Sequence, residues 1–250
     1  MVTNSTSRSE RDRLYAEGRI GEGSFVFDER VAAVFGDMIS RSVPGYATVL
    51  ATTGLLARRH ARPGSTLYDL GCSLGAASAV MAEALEEAGA CRIVAVDNAP
   101  AMIERAREEL AARDLAGRVE LRCADLREVP VERASVVVLN FTLQFLPREE
   151  RLELLRRIRR GMLPDGVLIL SEKIAGATPE EERLLVALHE EFKRANGYSE
   201  LEIARKRSAL ERVLVPEPLE AHRRRLAEAG FRRVQPWFQC FNFASLVAHP

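Results

Sequence analysis

An α/β fold built around a parallel sheet is the architecture this sequence predicts, on three observations. Short apolar runs alternate with helix-length segments from residue 66 to residue 170, and a glycine turn directly follows the first run. A later run, Ser135-Val136-Val137-Val138-Leu139, has no polar alternation, as a strand covered on both faces requires. With 250 residues, 47% of them hydrophobic, the chain can bury one sizeable core.

The elements follow in order. Residues 1–23 are polar and read as a flexible tail before a single domain over 24–250. Asp28 is placed to cap a helix whose apolar positions Val31, Val34, Phe35 and Met38 recur at helical spacing, and Pro44-Gly45 ends it. A second helix spans 46–60, and this pair, within 24–62, is expected to form a lid over the glycine turn. Strand patterns at 66–70, 91–96, 119–123, 135–139 and 166–170 alternate with helical patterns at 76–88, 99–112 and 147–162, as βαβ units require. A helical insertion over 175–229 carries three further helices, at 180–194, 199–214 and 219–229. An aromatic-rich hairpin, 231–238 and 241–248, closes the domain.

Composition excludes several function classes. The formal net charge is zero, with 36 basic and 36 acidic side chains, so no overall field draws the chain to nucleic acid or an anionic membrane. The basic clusters Arg156-Arg157-Ile158-Arg159-Arg160 and His222-Arg223-Arg224-Arg225 lie among acids on helices and read as solvated faces, so direct RNA binding is not expected. No segment approaches the ~18 apolar residues of a membrane span, and residues 1–19 lack an apolar signal core, which predicts a cytoplasmic protein without membrane contact. Four cysteines without C-x-x-C spacing predict neither a metal site nor a disulfide framework. Cys91 and Cys123, in strand patterns, read as small core residues.

The richest motif is Tyr68-Asp69-Leu70-Gly71-Cys72-Ser73-Leu74-Gly75-Ala76, with Asp97-Asn98 ending the next strand 22 residues after Gly75. A strand running into a glycine turn and then a helix presents backbone N–H groups to a ligand carboxylate, and the acid ending the second strand can accept both hydroxyls of a ribose. Together they read as an S-adenosylmethionine site. Gly71-x-Ser73-x-Gly75 also matches a hydrolase nucleophile elbow with Ser73 as nucleophile, but His189, His222 and His249 lie in charged or terminal surroundings that suggest no triad partner. Asp69 suits an ammonium group better than an ester, and His189, on a charged helix, reads as a surface residue. On the 199–214 helix, Ile203, Leu210 and Leu214 define an apolar stripe on which Arg207 falls at the intervening offset. A buried guanidinium needs an anionic partner, and periodicity leaves open an internal acid or an anionic ligand.

These segments resemble the carboxy-S-adenosyl-L-methionine synthase family, over nearly the full length. The resemblance is carried by Phe27-Asp28-Glu29-Arg30-Val31-Ala32, Arg41-Ser42-Val43-Pro44-Gly45-Tyr46, the glycine turn, and Pro100-Ala101-Met102-Ile103-Glu104-Arg105. It continues through Val138-Leu139-Asn140-Phe141-Thr142-Leu143-Gln144-Phe145, the stretch from Phe192 to Glu202, Lys206-Arg207-Ser208, and Trp237-Phe238-Gln239-Cys240-Phe241-Asn242-Phe243. The glycine turn is common to many methyltransferases, whereas the insertion and the aromatic motif are much more specific. Asp165 in Leu163-Pro164-Asp165-Gly166 departs from the glycine expected there.

The resemblance implies a class I methyltransferase fold, Rossmann-like, with a seven-stranded sheet and helices on both faces. It implies a homodimer that uses S-adenosylmethionine as substrate with prephenate, without a metal, and releases carboxy-S-adenosylmethionine and phenylpyruvate. A functional link to the enzyme that transfers the carboxymethyl group to the tRNA wobble uridine follows. In the family's proposed chemistry a base removes a proton from the sulfonium methyl, and the ylide captures carbon dioxide freed from prephenate; the site must therefore exclude water. Gly71, Cys72 and Ser73 resemble the turn around the methionine part, Asp97 and Asn98 the ribose and adenine contacts, and Asp125 with Leu126 the adenine edge. Asn140 resembles a contact to the amino-acid part or the transferred carboxylate, Tyr46 a ligand contact on the lid side, and Arg207 the partner of the new carboxylate. Each also has an ordinary reading, with Tyr46 as helix packing, Asn140 as a strand-end cap and Asp125 as an N-cap. An ordinary small-molecule methyltransferase and a non-catalytic cofactor-binding protein are the rival functions.

Overall fold

The computed structural model describes residues 11–14, 26–85, 91–210 and 213–250. Asp28 caps α1 (Glu29–Ser42) as its sequence predicts: the carboxylate accepts the Val31 N–H at 3.0 Å. Gly45, at φ 75°, turns the chain into α2 (Tyr46–His60), and a Cβ there would lie 2.2 Å from the Phe238 ring. The turn between α1 and α2 therefore rests on the aromatic hairpin near the carboxyl terminus.

Alternating strands and helices then build the sheet: β1 (Thr66–Leu70), α3 (Ala76–Ala84), β2 (Arg92–Asp97), α4 (Pro100–Ala112), β3 (Val119–Cys123) and β4 (Ala134–Asn140). They continue with α5 (Arg148–Gly161), β5 (Met162–Ala175), α6 (Pro179–Ala195), α7 (Glu200–Leu210), β6 (Glu217–Pro218), α8 (Leu219–Glu228), β7 (Arg233–Cys240) and β8 (Phe243–His249). The strand order is β3-β2-β1-β4-β5-β8-β7, seven strands as expected, with the two-residue β6 added beside β5. β1 to β5 run parallel, and β8 pairs antiparallel with both β5 and β7. One face of the sheet buries Leu70, Val94, Val137 and Leu168 with Leu155 and Leu226, and the other buries Leu67, Ile93, Val136 and Ile169 with Met81 and Ile103.

Some boundaries differ from their sequence patterns. β5 runs on to Ala175 because polar Ser171, Glu172 and Lys173 pair with Ser245, Ala244 and Phe243 of β8. Helix α3 is described to Ala84, and residues 86–88 of its 76–88 pattern, like 211 and 212 of the 199–214 pattern, lie outside the described residues. Of the 1–23 segment read as a flexible tail, only 11–14 are described, and these are docked. Asp12 is 2% exposed and accepts the Tyr198 hydroxyl at 2.7 Å, while Leu14 packs with Val31 and Met38. Cys91 is half-buried and Cys123, at the end of edge strand β3, is exposed rather than a core residue. No helix among the described residues is long and apolar enough to cross a membrane.

Candidate functional site

Parallel register brings the ends of β1, β2, β4 and β5 together, and the polar residues there were selected by position rather than by the core. After β1 the chain turns at Gly71 with φ 85°, and a Cβ on this residue would lie 2.3 Å from Thr142 Oγ1. Only glycine fits this turn. The Gly71 and Cys72 N–H groups donate to Val96 O at 2.8 and 2.9 Å, fastening the turn to β2. Asp97 then receives the Ser73 N–H at 2.9 Å and the Ala99 N–H at 3.0 Å, one on each oxygen. Ser73 itself sits at φ 51°, a strained backbone for a non-glycine residue that this bond to Asp97 helps to hold. The carboxylate is thus fixed in orientation with lone pairs left over.

Two further acids stand nearby. Asp69 is buried and accepts Ser78 Oγ at 2.6 Å; burial, with the charge of Asp97, pushes its carboxyl up to about 6 against the Ser78 bond. Burial likewise raises the Asp97 carboxyl above its ordinary range. Glu172 accepts the Leu143 and Gln144 N–H groups, each at 2.9 Å, and burial lifts it to about 8 despite these bonds and Arg151. Acids raised by burial in this way favour a cationic ligand.

Asn140 ends β4 facing this group. Its Oδ1 accepts Ser171 Oγ at 2.8 Å, and Ser171 bonds Ser245 at 2.6 Å. Its Nδ2 is buried without a hydrogen-bond partner among the described residues. Such a donor is free to bond a ligand or a water. Next to it Phe141, at φ 58°, starts a chain of rings: Tyr46 to Phe141 at 6.3 Å, Phe141 to Phe243 at 5.9 Å, and Phe243 to His189 at 4.9 Å. Burial, followed by the Asp69 charge, pushes the Tyr46 hydroxyl upward, so it stays protonated and able to donate. The fixed acid, the glycine turn and the orphaned amide fit S-adenosylmethionine, a cation with a carboxylate, an ammonium group and two ribose hydroxyls. Among the described residues no cluster of three or more His, Cys, Asp or Glu could hold a metal.

The structure gathers Tyr46, Gly71, Cys72, Ser73, Asp97 and Asn140 at one end of the sheet, with Asn98 exposed beside Asp97. Asp125 turns its carboxylate to the backbone and guanidinium of Arg127, and the Leu126 carbonyl accepts Arg157. Arg207 departs from its expected stripe. The buried face of α7 carries Glu202, Ile203 and Lys206, and Arg207 is 50% exposed, paired with Glu190. The phase follows Ile203 and Lys206 three residues on, and Leu210 is only partly buried, so the spacing through Leu210 and Leu214 misassigned the face. His189 is also corrected: it is 6% exposed, against Phe243, with Nε2 at 2.8 Å from the Ser42 carbonyl. His222, in a cluster read as a solvated face, is buried as well. Phe141, Thr142, Ser171, Glu172 and Phe243 join the site without a residue signal of their own in the sequence, apart from the charge of Glu172 two residues after the apolar run of β5.

A family model described as a methyltransferase domain matches residues 67–166. Carboxy-S-adenosyl-L-methionine synthase of Trichlorobacter lovleyi is 58% identical over 238 residues, covering 95% of this chain and 97% of that protein. The protein of that name from Pseudomonas entomophila is 54% identical over 245 residues, covering 96% and 99%. Among solved structures, an O-methyltransferase family protein from Burkholderia thailandensis superposes with TM-score 0.64 at 19% identity, over 95% of this chain and 67% of its own. Human N-acetylserotonin methyltransferase in complex with SAM superposes with TM-score 0.60 at 18% identity, over 88% and 55%. These two likenesses show the fold alone. The chain belongs to the carboxy-S-adenosyl-L-methionine synthase family, transferases that act on S-adenosylmethionine with the class I methyltransferase fold.

Proposed function

We infer that the protein converts S-adenosylmethionine and prephenate into carboxy-S-adenosylmethionine and phenylpyruvate, supplying the carboxymethyl donor for tRNA wobble-uridine modification. The observation that carries this reading is the near-complete coverage, at 54 to 58% identity, of relatives named for that product. Prephenate comes from the family resemblance of the insertion and aromatic motifs. In balance, the ring carboxylate of prephenate becomes bonded to the sulfonium methyl carbon, one methyl proton leaves, and the ring hydroxyl departs with a proton as water.

In this reading Asp97 holds the ribose through the lone pairs that Ser73 and Ala99 leave free, and Asn98, Asp125 and Leu126 border the adenine. The turn at Gly71, Cys72 and Ser73 holds the methionine part. Asn140 Nδ2 donates to the amino-acid part or the transferred carboxylate, and Tyr46 closes the lid side of the cavity. Arg207 exchanges Glu190 for the new carboxylate, and the rings of Phe141 and Phe243 keep water from the reacting methyl. A cytoplasmic homodimer, linked in function to the tRNA carboxymethyl-transferring enzyme, belongs to the same proposal.

The test is purified protein incubated with S-adenosylmethionine and prephenate and read by mass spectrometry. Equal amounts of phenylpyruvate and of a ligand heavier by one carbon dioxide are expected. Unchanged S-adenosylmethionine with no prephenate consumed would return the protein to the small-molecule methyltransferases.

A further inference from the structure

Where α6 lies over Phe243 there is a group of bases that the roles above do not use. His189 and Lys193 are four residues apart on α6 and both face inward, at 6% and 8% exposure. His189 packs on the Phe243 ring, and Phe243 is the register partner of Lys173 across β5 and β8. Register partners project from the same face of a sheet, so the Lys173 side chain leaves β5 on the side where Phe243 meets α6. The Phe243 ring also touches Phe141, the residue after Asn140. The Phe243 and Phe141 rings therefore link the cluster to the residue after Asn140.

The bases differ in how they are compensated. Lys206, also buried, reaches Ser42 Oγ at 2.8 Å and Asp12 at 3.6 Å. His189 is engaged by the Ser42 carbonyl. Arg207 is paired with Glu190. Lys193 has no hydrogen bond or ion pair among the described residues, and the charges acting on it are the like charges of Lys173 and Lys206. Lys173 likewise makes no side-chain bond; Glu182, the acid that acts on it, is committed to the Gly176 N–H at 2.6 Å, and Arg207 repels it. Burial and these repulsions lower both ammonium groups, Lys193 to about 7. A buried lysine beside a half-buried one, with Glu182 the one counter-charge acting on the pair, is a costly arrangement that an anion would relieve.

We propose that Lys173 and Lys193 form the subsite that receives the carboxylates of the second substrate, a small dicarboxylate, between α6 and the Asn140 amide. The inference rests on the function proposed above and adds where its anionic substrate sits. Two separate ammonium groups match two carboxylates better than a single planar one, which an arginine fork would hold. The Tyr46, Phe141 and Phe243 rings give the body of the substrate an apolar wall.

The experiment measures prephenate binding by titration calorimetry to protein saturated with S-adenosylhomocysteine, which has no methyl group to react. Lys193→Met and Lys173→Met should each weaken prephenate about tenfold or more and leave S-adenosylmethionine affinity unchanged. Lys193→Arg should recover part of the loss. Because neither lysine supports a structural bond, both variants should fold; half-buried Lys173 provides the second arm if Lys193→Met does not. Prephenate affinity unchanged in both methionine variants, with each variant carboxylating S-adenosylmethionine at the parent protein's KM for prephenate, would overturn the subsite and leave the function standing. Parallel loss of S-adenosylmethionine affinity would make the lysines structural and overturn it too. A parent protein that neither binds nor consumes prephenate would remove the function, and the subsite with it.

Discussion

Single residues at the ends of the strands carry the chemistry, and their conformations make the sharpest predictions. Gly71→Ala places a Cβ within 2.3 Å of Thr142 Oγ1 at φ 85°, so we expect about 1 to 3 kcal/mol of strain and loss of the thermal shift produced by S-adenosylmethionine. An undiminished ligand shift in that variant would show that the turn does not seat the methionine part. Lys193 gives a pH dependence. Its folded value is about 7 and its ordinary value 10.5, so between these the unfolded chain binds more protons. Its penalty is therefore full below pH 7 and fades as pH rises toward 10.5. Compared with Lys193→Met, the parent protein should gain melting temperature across that window, a rise absent if Lys193 is charged in the fold at every pH. Lys173, Lys206 and His189 all face it, and none supplies a counter-charge. Asp97 and Asn140 were legible because a polar residue ending an apolar strand sits at the carboxyl edge of a parallel sheet. Lys193 and His189 were not, because their burial depends on α6 lying over Phe243, a contact between segments far apart in sequence.

At the scale of elements, the insertion is fastened by charge as well as by apolar packing. Arg151 of α5 has no solvent exposure; it bonds Glu217 of β6 and the carbonyls of Gln144 and Val215, and Arg225 of α8 joins the same carboxylate at 2.6 and 2.7 Å. Glu217→Ala strands that guanidinium, and urea unfolding should show a loss of about 3 to 5 kcal/mol. A loss below about 1 kcal/mol would mean that the carbonyls alone compensate Arg151. Asp28→Ala removes one cap from α1 and should cost about 1 kcal/mol in the same assay. Helix starts such as Asp28 and Tyr46 were legible because caps and proline–glycine breaks are local. The length of β5 was not: Ser171, Glu172 and Lys173 look like loop residues until β8 supplies their partners. The face of α7 was misread for a related reason. With few apolar residues on that helix, tertiary contacts to Asp12 and Ser42 decide that Lys206, and not Arg207, is buried.

Across the whole molecule, a net charge of zero conceals a separation. Asp69 and Asp97 gather where β1 and β2 end, and Lys173, Lys193 and Lys206 gather where β5 meets α6 and α7. Such an arrangement suits a cation on one side and an anion on the other, joined at the Asn140 amide and enclosed by rings. The fold was readable from alternation alone, and the glycine turn marked the cationic half. The anionic half stayed hidden because its residues come from three elements. Prephenate labelled with carbon-13 in its ring carboxylate, incubated with the protein and S-adenosylmethionine, tests the joined site most directly. The heavy carbon should appear in carboxy-S-adenosylmethionine, with phenylpyruvate unlabelled and equal in amount. Label lost to solution as carbon dioxide while S-adenosylmethionine remains unchanged would contradict transfer between the two halves.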